Sequence, residues 1–220
     1  MGKSAIVLGA TGLTGGLLLN KLLENEVYDS VLVFGRNSCG INHPKLKETL
    51  VDLFALENYK DQFKADIVFC CIGTTKSKTP DKKTYQKIDK GIPVKAANIS
   101  KANGINTFMV MSSMGADENS RIFYNRTKGE MEKEVINAKV NKTYILRPSL
   151  IKGDREKTRL GEKIGGAVMD LLSPIMIGDL KKYRPITAKQ IVDCMLYLAK
   201  HQYEKQIIIS DEIMEIAAKE

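Results

Sequence analysis

At 220 residues, 43% hydrophobic and 27% charged, the chain has the composition of a folded domain rather than a disordered segment, and its length suits one domain. No apolar run approaches the ~20 residues that span a bilayer, so no membrane segment is predicted. The formal net charge of +8 invites nucleic acid as a partner, but no basic patch with interleaved aromatics, zinc finger or RNA-binding signature accompanies it; an acidic or phosphorylated small molecule accounts for the charge at least as well.

Residues 4 to 9, SAIVLG, form an apolar run ending in glycine, followed by a helical pattern in which Leu18 and Leu22, then Leu19 and Leu23, lie four apart. The turn between them is GATGLTG. Gly9 permits the tight turn, Gly12 lets the backbone approach a pyrophosphate, and Gly15 allows close packing of helix on strand. A glycine string alone is weak, but this one follows the first buried strand of a strand-helix series, where dinucleotide binding requires it.

The next run, VLVFG at 31 to 35, ends at Gly35, Arg36 and Asn37. An enzyme reading NAD puts an acid there for the ribose 2′-OH. Arg36 can instead make a charge-assisted fork with a 2′-phosphate, so NADP(H) is favoured over NAD(H). KETLVDL, 47 to 53, is a weaker strand leading to Asp52 and Leu53, which either line the adenine or serve as loop and core. ADIVFCCIG, 65 to 73, has the unbroken hydrophobicity of a strand buried on both faces.

A lysine-rich helix over about 82 to 102 leads to another buried strand, INTFMVMSS, 105 to 113. A helix follows at about 121 to 138, then the strand KTYILRP, 142 to 148. After Pro148 the rhythm breaks. Residues 149 to 187 form a short substrate-side segment with an apolar helix near 162 to 172. Within it Arg155, Arg159 and Lys163 either grip an acidic substrate or form a solvated face. Met169, Leu171, Leu172 and Met176 read as core packing or as the lining of an apolar pocket. ITAKQIVDCMLYLAKH restores a helix, and QIIIS with DEIMEIAAK adds a strand and a terminal helix. Alternation of this kind predicts an α/β fold with a doubly wound parallel sheet covered by helices on both faces, in one domain over 1–220.

Tyr124 and Lys128 are four apart on the predicted helix and share a face. An ammonium near a phenol favours the phenolate, drawing a pKa of about 10 toward neutrality so that the phenol can exchange a proton with a substrate oxygen. Ser112 and Ser113 end the preceding strand, where a hydroxyl can point at the same oxygen. Cys39, Cys70, Cys71 and Cys194 lack metal-site or disulfide spacing and read as small residues of a reducing compartment; His43 and His201 are the only histidines. No metal site is predicted. Met1 to Ser4 lead directly into a strand without the features of a signal peptide, so a cytoplasmic protein is expected.

Glycine turn, serine-ended strand and YxxxK helix occur in the order of the short-chain dehydrogenase/reductases. Through GATGLTG, VFGR, FCCIGTTKSK, SSMGAD, YNRTKGEMEKEV, RPS and DREKTRLGE, the chain resembles the atypical NAD(P)-binding members of that superfamily, in particular the Tat-interacting-protein type of oxidoreductase. The resemblance covers about residues 4 to 165. It implies a Rossmann-like fold and places the pyrophosphate on the glycine turn, with Thr11, Leu13 and Thr14 beside Gly9, Gly12 and Gly15. It puts the 2′-phosphate on Arg36, the ribose and nicotinamide along Cys71, Ile72, Gly73 and Thr74, and the carboxamide by Pro148. Tyr124 becomes the acid/base, Lys128 its assistant and a ribose ligand, and Ser113, or else Ser112, the polarising hydroxyl.

Two features depart from the ordinary pattern: Asp89 occupies the position aligned with an asparagine of the proton relay, and only 11 residues separate Ser113 from Tyr124. The expected activity is NADPH-dependent reduction of a small-molecule carbonyl. A dinucleotide-binding regulatory protein without turnover is the alternative. Nucleotide-sugar epimerisation is a weaker one, because such enzymes carry a larger sugar-binding lobe.

Overall fold

A computed structural model describes residues 2–152 and 182–220. Seven parallel strands form one sheet in the order β3-β2-β1-β4-β5-β6-β9: β1 (Lys3–Leu8), β2 (Tyr28–Gly35), β3 (Leu46–Leu50), β4 (Ile67–Cys70), β5 (Thr107–Met111), β6 (Lys142–Arg147) and β9 (Ile207–Ile209). Ala5 to Leu8 are fully buried and pair with β2 on one side and β4 on the other, which is why no polar alternation interrupts this run. The chain winds outward from β1 to β3, then returns to β4. That reversal opens a crevice at the carboxyl ends of β1 and β4, the place where such sheets bind ligands.

Successive residues of each strand feed opposite cores. Ala5 and Val7 pack with α1 (Leu13–Glu24), α5 (Ala188–Lys200) and α6 (Ser210–Ala217), and the leucines at 18, 19, 22 and 23 supply the α1 contacts. Ile6 and Leu8 pack with a 3-10 turn (Leu53–Tyr59), α3 (Ile92–Ala102) and α4 (Phe123–Asn137). Each aliphatic side chain so buried contributes about 1.5–3 kcal/mol. The doubly wound parallel sheet expected from the sequence is the observed fold.

The differences in detail have local causes. The predicted strand 65–73 pairs only over Ile67–Cys70, because Cys71 makes one last bond to the Leu8 carbonyl at 2.9 Å and the chain then leaves the ladder at the reversal. The predicted helix 82–102 is α2 (Lys82–Gln86), a π turn (Lys87–Gly91) and α3. In the π turn the Ile92 N–H reaches back five residues to the Lys87 carbonyl. Pro93 follows and has no N–H to offer the Asp89 carbonyl, so the extra residue of the π turn relieves the clash its ring would cause.

The segment beginning at 149 is fastened at both ends. The short strands β7 (Ile151–Lys152) and β8 (Ile186–Thr187) pair in parallel, the Ile186 N–H bonds the Leu150 carbonyl at 2.9 Å, and Ser149 bonds the Arg184 carbonyl. Thr187 then starts α5 with a capping box to Gln190. Arg155, Arg159, Lys163, Met169, Leu171, Leu172 and Met176 lie outside the described residues.

Candidate active site

The glycine turn is built so that its backbone is open. Gly9 has φ of +83°, and a Cβ there would come 2.7 Å from the Cys71 carbonyl oxygen; a Cβ on Gly15 would come 2.2 Å from the Gly9 carbonyl oxygen. Both positions exclude side chains, so α1 seats directly on the β1 turn. Gly12 occupies the N-cap of α1, and neither a side-chain cap nor an acid in the first turn takes up the free N–H groups. Those donors and the helix dipole fit a pyrophosphate. Thr14 is buried, while Thr11 and Leu13 stand exposed at the same end. Gly15→Ala should lower stability by about 1–3 kcal/mol through this clash and abolish NADPH binding in a calorimetric titration; wild-type values for both would mean that the loop yields freely.

Beyond β2, Arg36 and Asn37 are exposed. The sequence offers Arg36 no acidic neighbour along the chain, but the sheet brings Glu48 across from β3. Its carboxylate accepts from the Ser38 hydroxyl and the Cys39 N–H, both at 2.6 Å, and these bonds hold it below its ordinary range. Glu48 thus fixes the loop that presents Arg36. Asp52 is exposed and accepts the Phe54 N–H at 2.9 Å, capping the 3-10 turn, whereas the Leu53 side chain lies in the core.

The loop after β4 meets the π turn at Asp89. This carboxylate is 1% exposed, accepts the Thr74 N–H at 2.8 Å and stands 3.0 Å from the Lys128 ammonium, itself 3% exposed. Lys128 also donates to the Met111 carbonyl at 3.4 Å, leaving one N–H unassigned. The Thr74 carbonyl accepts from Tyr85, whose phenol burial raises well above its ordinary value, so it remains a donor. Cys71 and Ile72 are half-buried and Gly73 is exposed; burial pushes the neighbouring Cys70 thiol up to about 11, which leaves it unreactive.

At the end of β5 the two serines separate. Ser112 donates to Glu132, whose carboxylate is also forked by Arg147, with Nε at 2.9 Å. Ser113 is buried and its hydroxyl has no partner among the described residues. Tyr124, 39% exposed, lies in the first turn of α4 four residues before Lys128 and meets the ring of Tyr85 edge-on at 6.5 Å. Pro148 ties the end of β6 to the loop after β5, its carbonyl accepting the Met114 N–H at 3.1 Å. Glu132 lies inside the quoted stretch YNRTKGEMEKEV but was given no role there, and Tyr85 lies in no quoted motif. Glu132 has a signal, its four-residue spacing from Lys128, but Tyr85 has none.

The family described as NAD(P)H-binding matches residues 9–169. The chain belongs to that family. Rat protein HTATIP2 is 33% identical over 164 residues, 73% of this chain and 67% of the rat protein. FMP52-1 of Scheffersomyces stipitis, named mitochondrial, is 30% identical over 216 residues, 92% of this chain and 90% of its own length. Both similarities agree with an NAD(P)H-binding, atypical short-chain dehydrogenase/reductase of the HTATIP2 type. Among solved structures, UDP-glucose 4-epimerase of Thermotoga maritima with UDP-glucose superposes with a TM-score of 0.69 at 17% identity, covering 98% of this chain and 82% of that one. MoeE5 in complex with UDP-glucose and NAD gives 0.68 at 16%, covering 98% and 81%. At these identities the likeness is one of fold. Among the described residues no helix is long and apolar enough to cross a membrane.

Proposed function

We propose that the chain is an NADPH-dependent reductase of small-molecule carbonyls. The observation that carries this reading is Ser113: a buried hydroxyl without a partner among the described residues, at the carboxyl end of β5, followed by the helix that bears Tyr124 and Lys128. An orphaned buried hydroxyl is costly unless a ligand completes it. Ser113 donates to the substrate oxygen and Tyr124 gives that oxygen its proton, which solvent restores. The dinucleotide, when bound, supplies the hydride to the carbonyl carbon. Lys128, oriented by Asp89, holds the nicotinamide ribose with its remaining N–H.

Arg36, exposed at the end of β2 where the ribose 2′ position falls in this fold, supports NADPH over NADH. Arg36→Glu should weaken NADPH by ten- to a hundredfold, the loss of about 1.5–3 kcal/mol expected for a charged hydrogen bond, and leave NADH within about twofold. Calorimetric titrations with both nucleotides decide the point, and equal losses would remove Arg36 from this role. Four free thiols suit a reducing compartment such as the cytoplasm, although the fungal relative's name points to mitochondria.

The regulatory reading keeps one specific support: the Lys128 charge is already matched by Asp89. A panel of aldehydes and ketones with the tighter-binding nucleotide separates the two. Oxidation of NADPH by any carbonyl establishes the reductase, and tight binding without turnover favours the sensor.

A further inference from the structure

A cleft of about 470 Å³ opens beside Tyr124, between the loop after β4, α2 and the start of α4. That volume suits a small ligand. One wall is a row of rings. Tyr85 meets Phe123 edge-on with centroids 5.6 Å apart and Tyr124 at 6.5 Å, and Ile122, 62% exposed, continues the apolar surface. Ile122, Phe123 and Tyr124 together form a contiguous apolar and aromatic border to the cleft, the kind of lining small-ligand sites use.

The charges at this cleft have one sign. Among the described residues Lys76 and Lys82 line it and no carboxylate does, and the Lys82 ammonium stands 5.6 Å from the centre of the Phe123 ring. Neither lysine forms an ion pair among the described residues. Asp81 is next to Lys82 in sequence, but its carboxylate accepts the Thr84 N–H at 2.7 Å as the cap of α2. Further along the same helical run Lys90 is paired with Glu130 and Glu134 and Lys95 with Glu57, whereas Lys83 and Lys87 are exposed and form no ion pair among the described residues. The positive field thus extends from the outer face of this run to the mouth of the cleft, where Lys76 and Lys82 draw in and hold anions.

We propose that the substrate is an aromatic carbonyl compound bearing an anionic group, a carboxylate or phosphate, with its ring against Tyr85, Phe123 and Ile122 and its anion at Lys82 and Lys76. The carbonyl then lies at the Tyr124 end and the anion at the opposite end of the row of rings. This rests on the reductase reading for the role of Tyr124, but the binding site itself does not require turnover.

Cinnamate and cinnamyl alcohol share a ring and chain and differ in charge. Titrated calorimetrically into the full chain saturated with NADPH, cinnamate should bind at least tenfold more tightly. The Lys76→Gln/Lys82→Gln variant should bring it down to the affinity of the alcohol, and Phe123→Ala should weaken both. Equal affinities in the wild-type protein, or inorganic phosphate binding as tightly as cinnamate, would overturn the proposal. Turnover forms the second arm: 4-carboxybenzaldehyde should exceed 4-methylbenzaldehyde in kcat/KM by at least tenfold. Cinnamate selectivity with neither aldehyde reduced upholds the site and counts against the reductase reading. Reduction of both aldehydes alike, without cinnamate selectivity, does the reverse.

Discussion

Asp89→Ala is expected to destabilise the protein by about 3–5 kcal/mol, the loss typical when one partner of a buried ion pair is removed. The Lys128 ammonium, 3% exposed, would keep only the Met111 carbonyl at 3.4 Å, and the Thr74 N–H would lose its acceptor. Because the carboxylate joins the loop after β4, the π turn and α4, the loss should fall on the position of that loop as well as on global stability. Urea denaturation near neutral pH measures it. Lys128→Met in the same background should recover part of the loss, since no unpaired charge then stays buried. A change below about 1 kcal/mol in Asp89→Ala would mean that water reaches the pair and that Asp89 does not hold Lys128.

Tyr124→Phe should lower kcat by 10²- to 10⁴-fold, the usual contribution of a positioned acid, with NADPH affinity within about twofold of wild type. The phenol is 39% exposed and its hydroxyl forms no hydrogen bond among the described residues, so the substitution costs little stability. Steady-state kinetics on any reduced carbonyl, with a nucleotide titration alongside, separates chemistry from binding. An unchanged kcat would remove Tyr124 from proton transfer and leave the dinucleotide site standing.

The two predictions draw on different kinds of information. Tyr124 and Lys128 were legible because four-residue spacing places two side chains on one helical face wherever that helix lies. GATGLTG was legible because strand, turn and helix are consecutive, and the close approaches of Gly9 to Cys71 and of Gly15 to Gly9 confirm why side chains are excluded there. The alternation of apolar runs with helical patterns likewise specified a parallel sheet before any contact was known.

The neighbouring serines show where reading along the chain stops. Ser112 and Ser113 are adjacent, and consecutive residues of an extended chain point to opposite sides. Only the arrival of Glu132 from α4 and Arg147 from β6 shows that Ser112 is taken and Ser113 is not. Asp89 read as a departure from an asparagine pattern, yet its meaning lies in Lys128, brought to 3.0 Å by the packing of the π turn on α4. Glu48 reaches the loop of Arg36 through strand pairing, and Tyr85 reaches Phe123 and Tyr124 through helix packing.

The sequence by itself determined the sheet, the glycine cradle and the Tyr124–Lys128 face, because backbone periodicity and short spacing are properties of consecutive residues. The tertiary structure decided which serine is free, which charge faces Lys128 and which rings and lysines border the cleft. Those outcomes depend on distances between elements far apart in the chain, and such distances are set by the packing of the whole core.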